Sequence, residues 1–337
     1  MKRLLLVVVA LAFAVPAQAQ DKLVVSIWGG SWRDLVADTV AKKFTAETGV
    51  PVDFITGGTI DRLNKARLAK DNPESDITFT TSHVGWLYVN SGLFEKLDVG
   101  KIPNASNLVD EARFSPFHLG SWAYIYTIGY RNDLIKDIKF DTWNDLWSPE
   151  LKGKIAAPDF DPSHLIVVSA ILSGGDAEHW QKGQDKLKAL KPNFKAFYSD
   201  DANSQQLLAS GETPVQDVLS MNAYYMIGQG VPITVDIPKE GGVLGVDAVA
   251  IMSGSKKADL AYKFINVLYE PDVQAAIAKQ KKGSPVVTNA KLDPDLAKLP
   301  GVFTSPAQWK QQIVIDPKLR AEKLPEWRKW FSENIMN

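Results

Sequence analysis

Apolar and polar positions in this chain switch between two periods, and each switch marks an element. Leu23 to Ile27 is a short, β-branched apolar run, the pattern of a buried strand. From Arg33 to Glu47 the apolar residues Leu35, Val36, Val40 and Phe44 recur at helical spacing, and Gly49 stands where a helix would end. Val50 to Phe54 predicts a strand, Ile60 to Lys70 a helix and Asp76 to Phe79 a third strand. Such an alternation predicts an α/β fold with a mostly parallel, doubly wound sheet, and the chain's length favours two domains sharing an interface. Ligands of such sheets sit beyond the carboxyl ends of the strands. Here those ends are Trp28 to Trp32, Thr56 to Thr59 and Thr80 to His83.

Further on, Ser121 to Tyr130 predicts a strand crossing between domains, and Ile155 to Ala157 a strand that ends at Pro158-Asp159-Phe160-Asp161-Pro162-Ser163. Helices are expected at His164–Leu172, Ala177–Leu190, Asn203–Ala209, Asn222–Gln229, Ala258–Tyr269, Asp272–Lys281 and along the tail from Pro306. Strands are expected at Pro214–Ser220 and Val231–Ile237. The stretch Ile237 to Ile251 is the most informative. Pro238 to Gly242 is a turn, and Val243 to Ile251 reads as a buried strand interrupted by Gly245 and Asp247. A carboxylate in a buried strand is costly to ionise unless a cation or hydrogen-bond donors meet it. Asp247 therefore either caps a helix or pairs with a lysine, or it faces a cleft that receives a positively charged ligand.

Composition narrows the class. Lys2 and Arg3, the apolar run Leu4 to Val15 and Ala17-Gln18-Ala19 have the form of a cleaved secretory signal over residues 1–19, which implies a periplasmic location. Cysteine is absent, so no disulfide or thiolate chemistry is expected. The formal net charge of −1 offers no basic field for nucleic acid or anionic membrane. There is no G-x-S-x-G elbow or phosphate-cradling loop, and the four histidines are scattered, so neither an enzyme nor a cofactor is expected. Trp28 and Trp32 follow a strand end beside two glycines and are candidate aromatic walls. Thr81, Ser82 and His83 form a polar run able to hydrogen-bond a ligand. Asp159 and Asp161 end a strand, although Asp161 before Pro162 also suits a helix cap, as Asp200-Asp201 does. Tyr224-Tyr225 could bind ferric iron as phenolates or simply pack.

Longer motifs add to this. The chain contains W-x-x-S-W after its first strand, F-T-A-E-T-G-V-P-V, S-D-I-T-F-T-T-S and T-W-N-D-L-W-S-P-E-L-K-G-K-I. P-K-E-G-G-V-L-G-V-D-A-V-A-I and A-Y-K-F-I-N-V-L-Y-E-P-D-V-Q follow. In these it resembles the type II periplasmic solute-binding proteins of ABC importers, in the branch containing spermidine- and putrescine-binding proteins. The resemblance implies two lobes joined by a hinge, with lobe 1 at residues 20–126 plus 248–303 and lobe 2 at 127–247 plus 304–337. It implies a monomer that delivers a small solute to membrane permease subunits. It assigns an aromatic wall to Trp28, polar contacts to Thr81 and His83, and amine-binding carboxylates to Asp247 and to Asp159 or Asp161. Gly245 stands where that family has a tryptophan, and Leu219 lies about where another is expected. The resemblance implies a polyamine, but these departures count against a long one and fit a shorter, amino acid-like or opine-like amine. Ferric-binding relatives, which use adjacent tyrosines, are the alternative; a secreted hydrolase is a further one.

Overall fold

The structure, a computed structural model, describes residues 22–337; the expected signal segment lies outside the described residues. Nine strands form one sheet among the described residues. They are β1 (Leu23–Ile27), β2 (Val52–Thr56), β3 (Ile77–Thr81), β4 (Leu119–Arg131), β5 (Ile155–Pro158), β6 (Phe194–Tyr198), β7 (Val215–Leu219), β8 (Ile233–Asp236) and β9 (Val243–Ile251). Their order is β2-β1-β3-β9-β4-β7-β5-β6, with β8 beside β4. The outer pairs β1–β2, β1–β3, β5–β6 and β5–β7 are parallel, as the β/α alternation requires. The centre is antiparallel. β9 runs against β3 on one side and β4 on the other, and the far half of β4 pairs with β7 and β8. Two parallel half-sheets are thus joined by the long strands β4 and β9.

In the first half of the chain the helices are α1 (Ser31–Val36), α2 (Lys42–Thr48), α3 (Thr59–Leu68) and α4 (Ser82–Asn90). A π-helical turn, Ala37–Ala41, joins α1 to α2, so the expected 33–47 helix is one run with a wider turn inside it; Gly49 ends it in the left-handed conformation. Next come α5 (Ser163–Leu172), α6 (Gln184–Leu190), α7 (Asp201–Ser210), α8 (Ser220–Gly228), α9 (Ala258–Leu268) and α10 (Pro271–Lys281). The chain closes with α11 (Pro294–Ala297), α12 (Pro306–Lys310) and α13 (Pro317–Phe331). The expected continuous tail helix is interrupted because Ile313 leaves the helix to bridge to Val243 at the start of β9. Gly241 makes this crossing possible: its φ is 95°, and a Cβ there would lie 2.2 Å from the Gln311 carbonyl oxygen. Beyond the crossing, α13 rests on both α4 and α5. The aromatic core beneath the sheet runs from Phe44 through Phe264 and Phe79 to Trp122.

Candidate functional site

The site is organised on the junction of β3, β9 and β4. In strand register Asp247 lies opposite Thr81 on one side and Trp122 on the other. A bulge between Gly120 and Trp122 sets that second pairing. Because side chains alternate along a strand, Trp122, Tyr124, Gly245 and Asp247 share one face. Trp122 Nε1 donates to Asp247 Oδ2 and Tyr124 Oη to Oδ1, each at 2.9 Å. Gly245 leaves the room for this. A Cβ at 245 would come within 2.1 Å of Tyr124 Cε2, so any larger residue would drive the phenol off the carboxylate.

Asp247 is 3% exposed and has no basic partner in ion-pair contact among the described residues. Burial pushes its carboxyl up to about 7, and the nearby charge of Asp201 adds to the rise; the two hydrogen bonds and the Arg62 charge only partly oppose it. The lysine-paired or capping reading of Asp247 does not hold. Its partners are neutral donors, and its charge is left uncompensated.

Two cavities flank this junction between the half-sheets. One, of about 350 Å³, is lined from the first side by Thr59, Thr81, Ser82 and His83, and from the other by Phe160, Asp161 and Arg320; Tyr124 forms part of its floor. The other, of about 660 Å³, lies between Ser31, Trp32 and Lys281 on one wall and Asp201, Gln205 and Asn222 on the opposite wall. Asp247 itself lines neither cavity, and Tyr124 connects it to the first. Trp122 connects it to the second by stacking on Trp32, with centroids 5.4 Å apart.

The sequence candidates are therefore divided. Thr81, Ser82, His83 and Asp161 come together on the first cavity and Trp32 on the second. Trp28 lines neither: its Nε1 donates to Thr59 Oγ1 at 2.7 Å, and the Arg62 guanidinium lies 5.1 Å from its ring centroid. The expected aromatic wall is thus packed on a cation of the protein itself. Asp159 also lines neither cavity. Asp161 lines the cavity but is not a free carboxylate, which corrects its expected role as an ammonium holder. It accepts from Ser163 N and Oγ at the start of α5, and Arg320 Nη2 lies 2.5 Å from its Oδ2. Burial alone would raise this carboxyl, yet the Arg320 charge beside it holds it well below the usual range. His83 Nε2 is 3.8 Å from the same oxygen, and burial, then Arg320, push its imidazole down to about 3, so it is neutral.

Tyr224 and Tyr225 diverge. Tyr224 is buried and donates to the Pro300 carbonyl at 2.7 Å, with its ionisation opposed by burial, while Tyr225 is 58% exposed. This corrects the expectation of a paired phenolate site, and among the described residues no group of three metal-ligating His, Asp or Glu stands together. Asp200 caps α7 by accepting from Asn203 N, which leaves Asp201 free of that task. Trp122, Tyr124, Lys281 and Arg320 were not singled out by sequence, and Asp201 was read only as a helix cap. The alternation in W-A-Y-I-Y carried a signal for the first two, since it puts Trp122, Tyr124 and Tyr126 on one strand face.

A family model of bacterial extracellular solute-binding proteins matches residues 39–304. The chain is 30% identical over 261 residues to the spermidine/putrescine-binding periplasmic protein of Escherichia coli K12, covering 74% of each. It is 27% identical over 294 residues to a putrescine/cadaverine-binding protein of Pseudomonas aeruginosa, covering 80% of each. Among solved structures, an ABC transporter chain from Clostridium perfringens superimposes with a TM-score of 0.81 at 28% identity, over 93% of this chain and all of that one.

Proposed function

The chain belongs to the bacterial extracellular solute-binding proteins, and from that premise we propose that it captures a small amine-bearing solute between two lobes for an ABC importer. The solute class is a polyamine or a shorter, amino acid-like amine. Asp247 is the observation that carries this. A buried carboxylate with neutral donors and no cation is held partly protonated, and an arriving ammonium would restore its charge. The relatives are named as binding proteins for amines, which accords with this reading.

We place the lobes at residues 20–126 plus 248–303 and 127–247 plus 304–337, with β4 and β9 as the strands that bend between them. A ligand touching both walls is bound better by the closed arrangement and draws the population toward it. The closed monomer would then dock on the permease, in the periplasm; no described helix is long and apolar enough to cross a membrane.

Calorimetric titration with amines tests the reading. Asp247→Asn keeps an acceptor for Trp122 and a group able to bond Tyr124, so the variant should fold. Its affinity should fall by about 2–5 kcal/mol, the cost of truncating one member of a desolvated charge pair. An Asp247→Asn variant that binds amines as tightly as wild type would refute the role.

A further inference from the structure

The larger cavity has its own charge pattern. Lys281 is the last residue of α10, and Lys282 behind it takes the left-handed conformation with φ 55°. The Lys281 ammonium donates to Ser31 Oγ at 2.7 Å and stands 4.2 Å from the centroid of Trp32, so its stem and one proton are fixed while two N–H groups remain. Among the described residues no carboxylate lies within ion-pair distance of it, whereas Lys43 holds two, Glu270 and Asp272. Half-burial without a counter-ion pushes the ammonium down to about 8, against the pull of Asp201 and Asp34.

The opposite wall carries the complementary group. The Asp201 carboxylate accepts from Asn222 Nδ2 at 2.8 Å, is in no ion pair among the described residues, and is raised by burial. Lys281 and Asp201, neither in an ion pair among the described residues, thus face a shared cavity of about 660 Å³, whose lining also includes Lys282 and the Arg33-paired Asp34. A dicationic solute would meet like charge at Lys281, but a solute with one ammonium and one carboxylate would satisfy both walls.

We infer that Lys281, seated on Trp32 and Ser31, receives the carboxylate of a zwitterionic solute whose ammonium lies toward Asp201. This rests on the proposal that an amine-bearing solute occupies the cleft, and it selects the amino acid-like class within it. Lys281 would then set specificity against diamines, and Trp32 would serve as the platform of that lysine instead of stacking directly on the solute.

The experiment pairs unbranched ω-amino acids, from glycine to 6-aminohexanoate, with diamines of equal carbon count, titrated into wild type, Lys281→Met and Lys281→Arg. Wild type should prefer the amino acid of the best-fitting length over its diamine. Lys281→Met should weaken that amino acid by about ten-fold or more, as loss of a hydrogen bond to a charged group does, and leave or improve diamine binding. Lys281→Arg should retain the amino acid. Unliganded melting of both variants near wild type establishes that the fold is intact. Preference for diamines in wild type, or equal effects of Lys281→Met on both series, overturns the carboxylate site while diamine binding sensitive to Asp247→Asn leaves the amine reading standing. Binding of neither series overturns both.

Discussion

At residue scale the decisive arrangement is three side chains deep: Gly245 admits Tyr124, Tyr124 and Trp122 hold Asp247, and no described residue forms an ion pair with Asp247. The glycine that stands in place of an expected tryptophan does not leave an empty wall, because the Tyr124 ring occupies that space. Gly245→Ala should therefore act beyond its single methyl. Displacing the phenol should cost about 1–3 kcal/mol of stability, as overpacking does, and lower solute affinity together with it; melting and titration of the same sample check both. Protonation gives a second handle. An ammonium needs the ionised carboxylate, and Asp247 titrates at about 7 in the free protein. Affinity should rise with pH below about 7, approaching ten-fold per unit, and Asp247→Asn should flatten that slope; a wild-type affinity constant between pH 5.5 and 7 contradicts it.

At element scale the tail helix α13 is tied into the sheet's second half through Arg320, which meets Asp161 and also lies 2.9 Å from His164 Nε2. Both carboxylate and guanidinium are nearly inaccessible, with side-chain exposures of 7% and 9%. Removing one member of a buried pair strands the other, so Arg320→Met should destabilise by about 3–5 kcal/mol in denaturant unfolding. Since α13 also rests on α4, which carries His83, the same change should loosen the cavity beneath it. None of this was legible in the sequence. Arg320 is separated from Asp161 by 159 residues, and only packing of the tail across both helices brings them together.

At the scale of the whole molecule the buried titratable groups oppose one another as pH falls. His83 and His118 are held down to about 3 and about 4, chiefly by burial, so below about 6.5 the unfolded chain takes up protons that the folded chain refuses, and stability is lost. Asp247 has the reverse sign. Its folded-state value is raised, so the folded chain gains a proton as pH drops through 7 that the unfolded carboxylate does not take until near 4, and stability is gained. Wild type should thus lose melting temperature between pH 6.5 and 4.5. Asp247→Asn should lose it more steeply, since the opposing gain is gone. A shallower fall in the variant would contradict the assignment.

What the sequence determined by itself was local and periodic. The β/α alternation specified the parallel outer strands, the apolar run from Val243 to Ile251 specified a buried strand, and an aspartate within it posed the question of what meets its charge, because these depend on neighbours a few residues away. The tertiary structure alone decided which charges are spent and which are free. Asp161 is neutralised from the tail, Trp28 is packed on Arg62, and Trp32 is shared between Trp122 and Lys281. Each of those pairings joins residues far apart in the chain. Coulombic and stacking partners are set by distance in space, which periodicity along the chain does not encode.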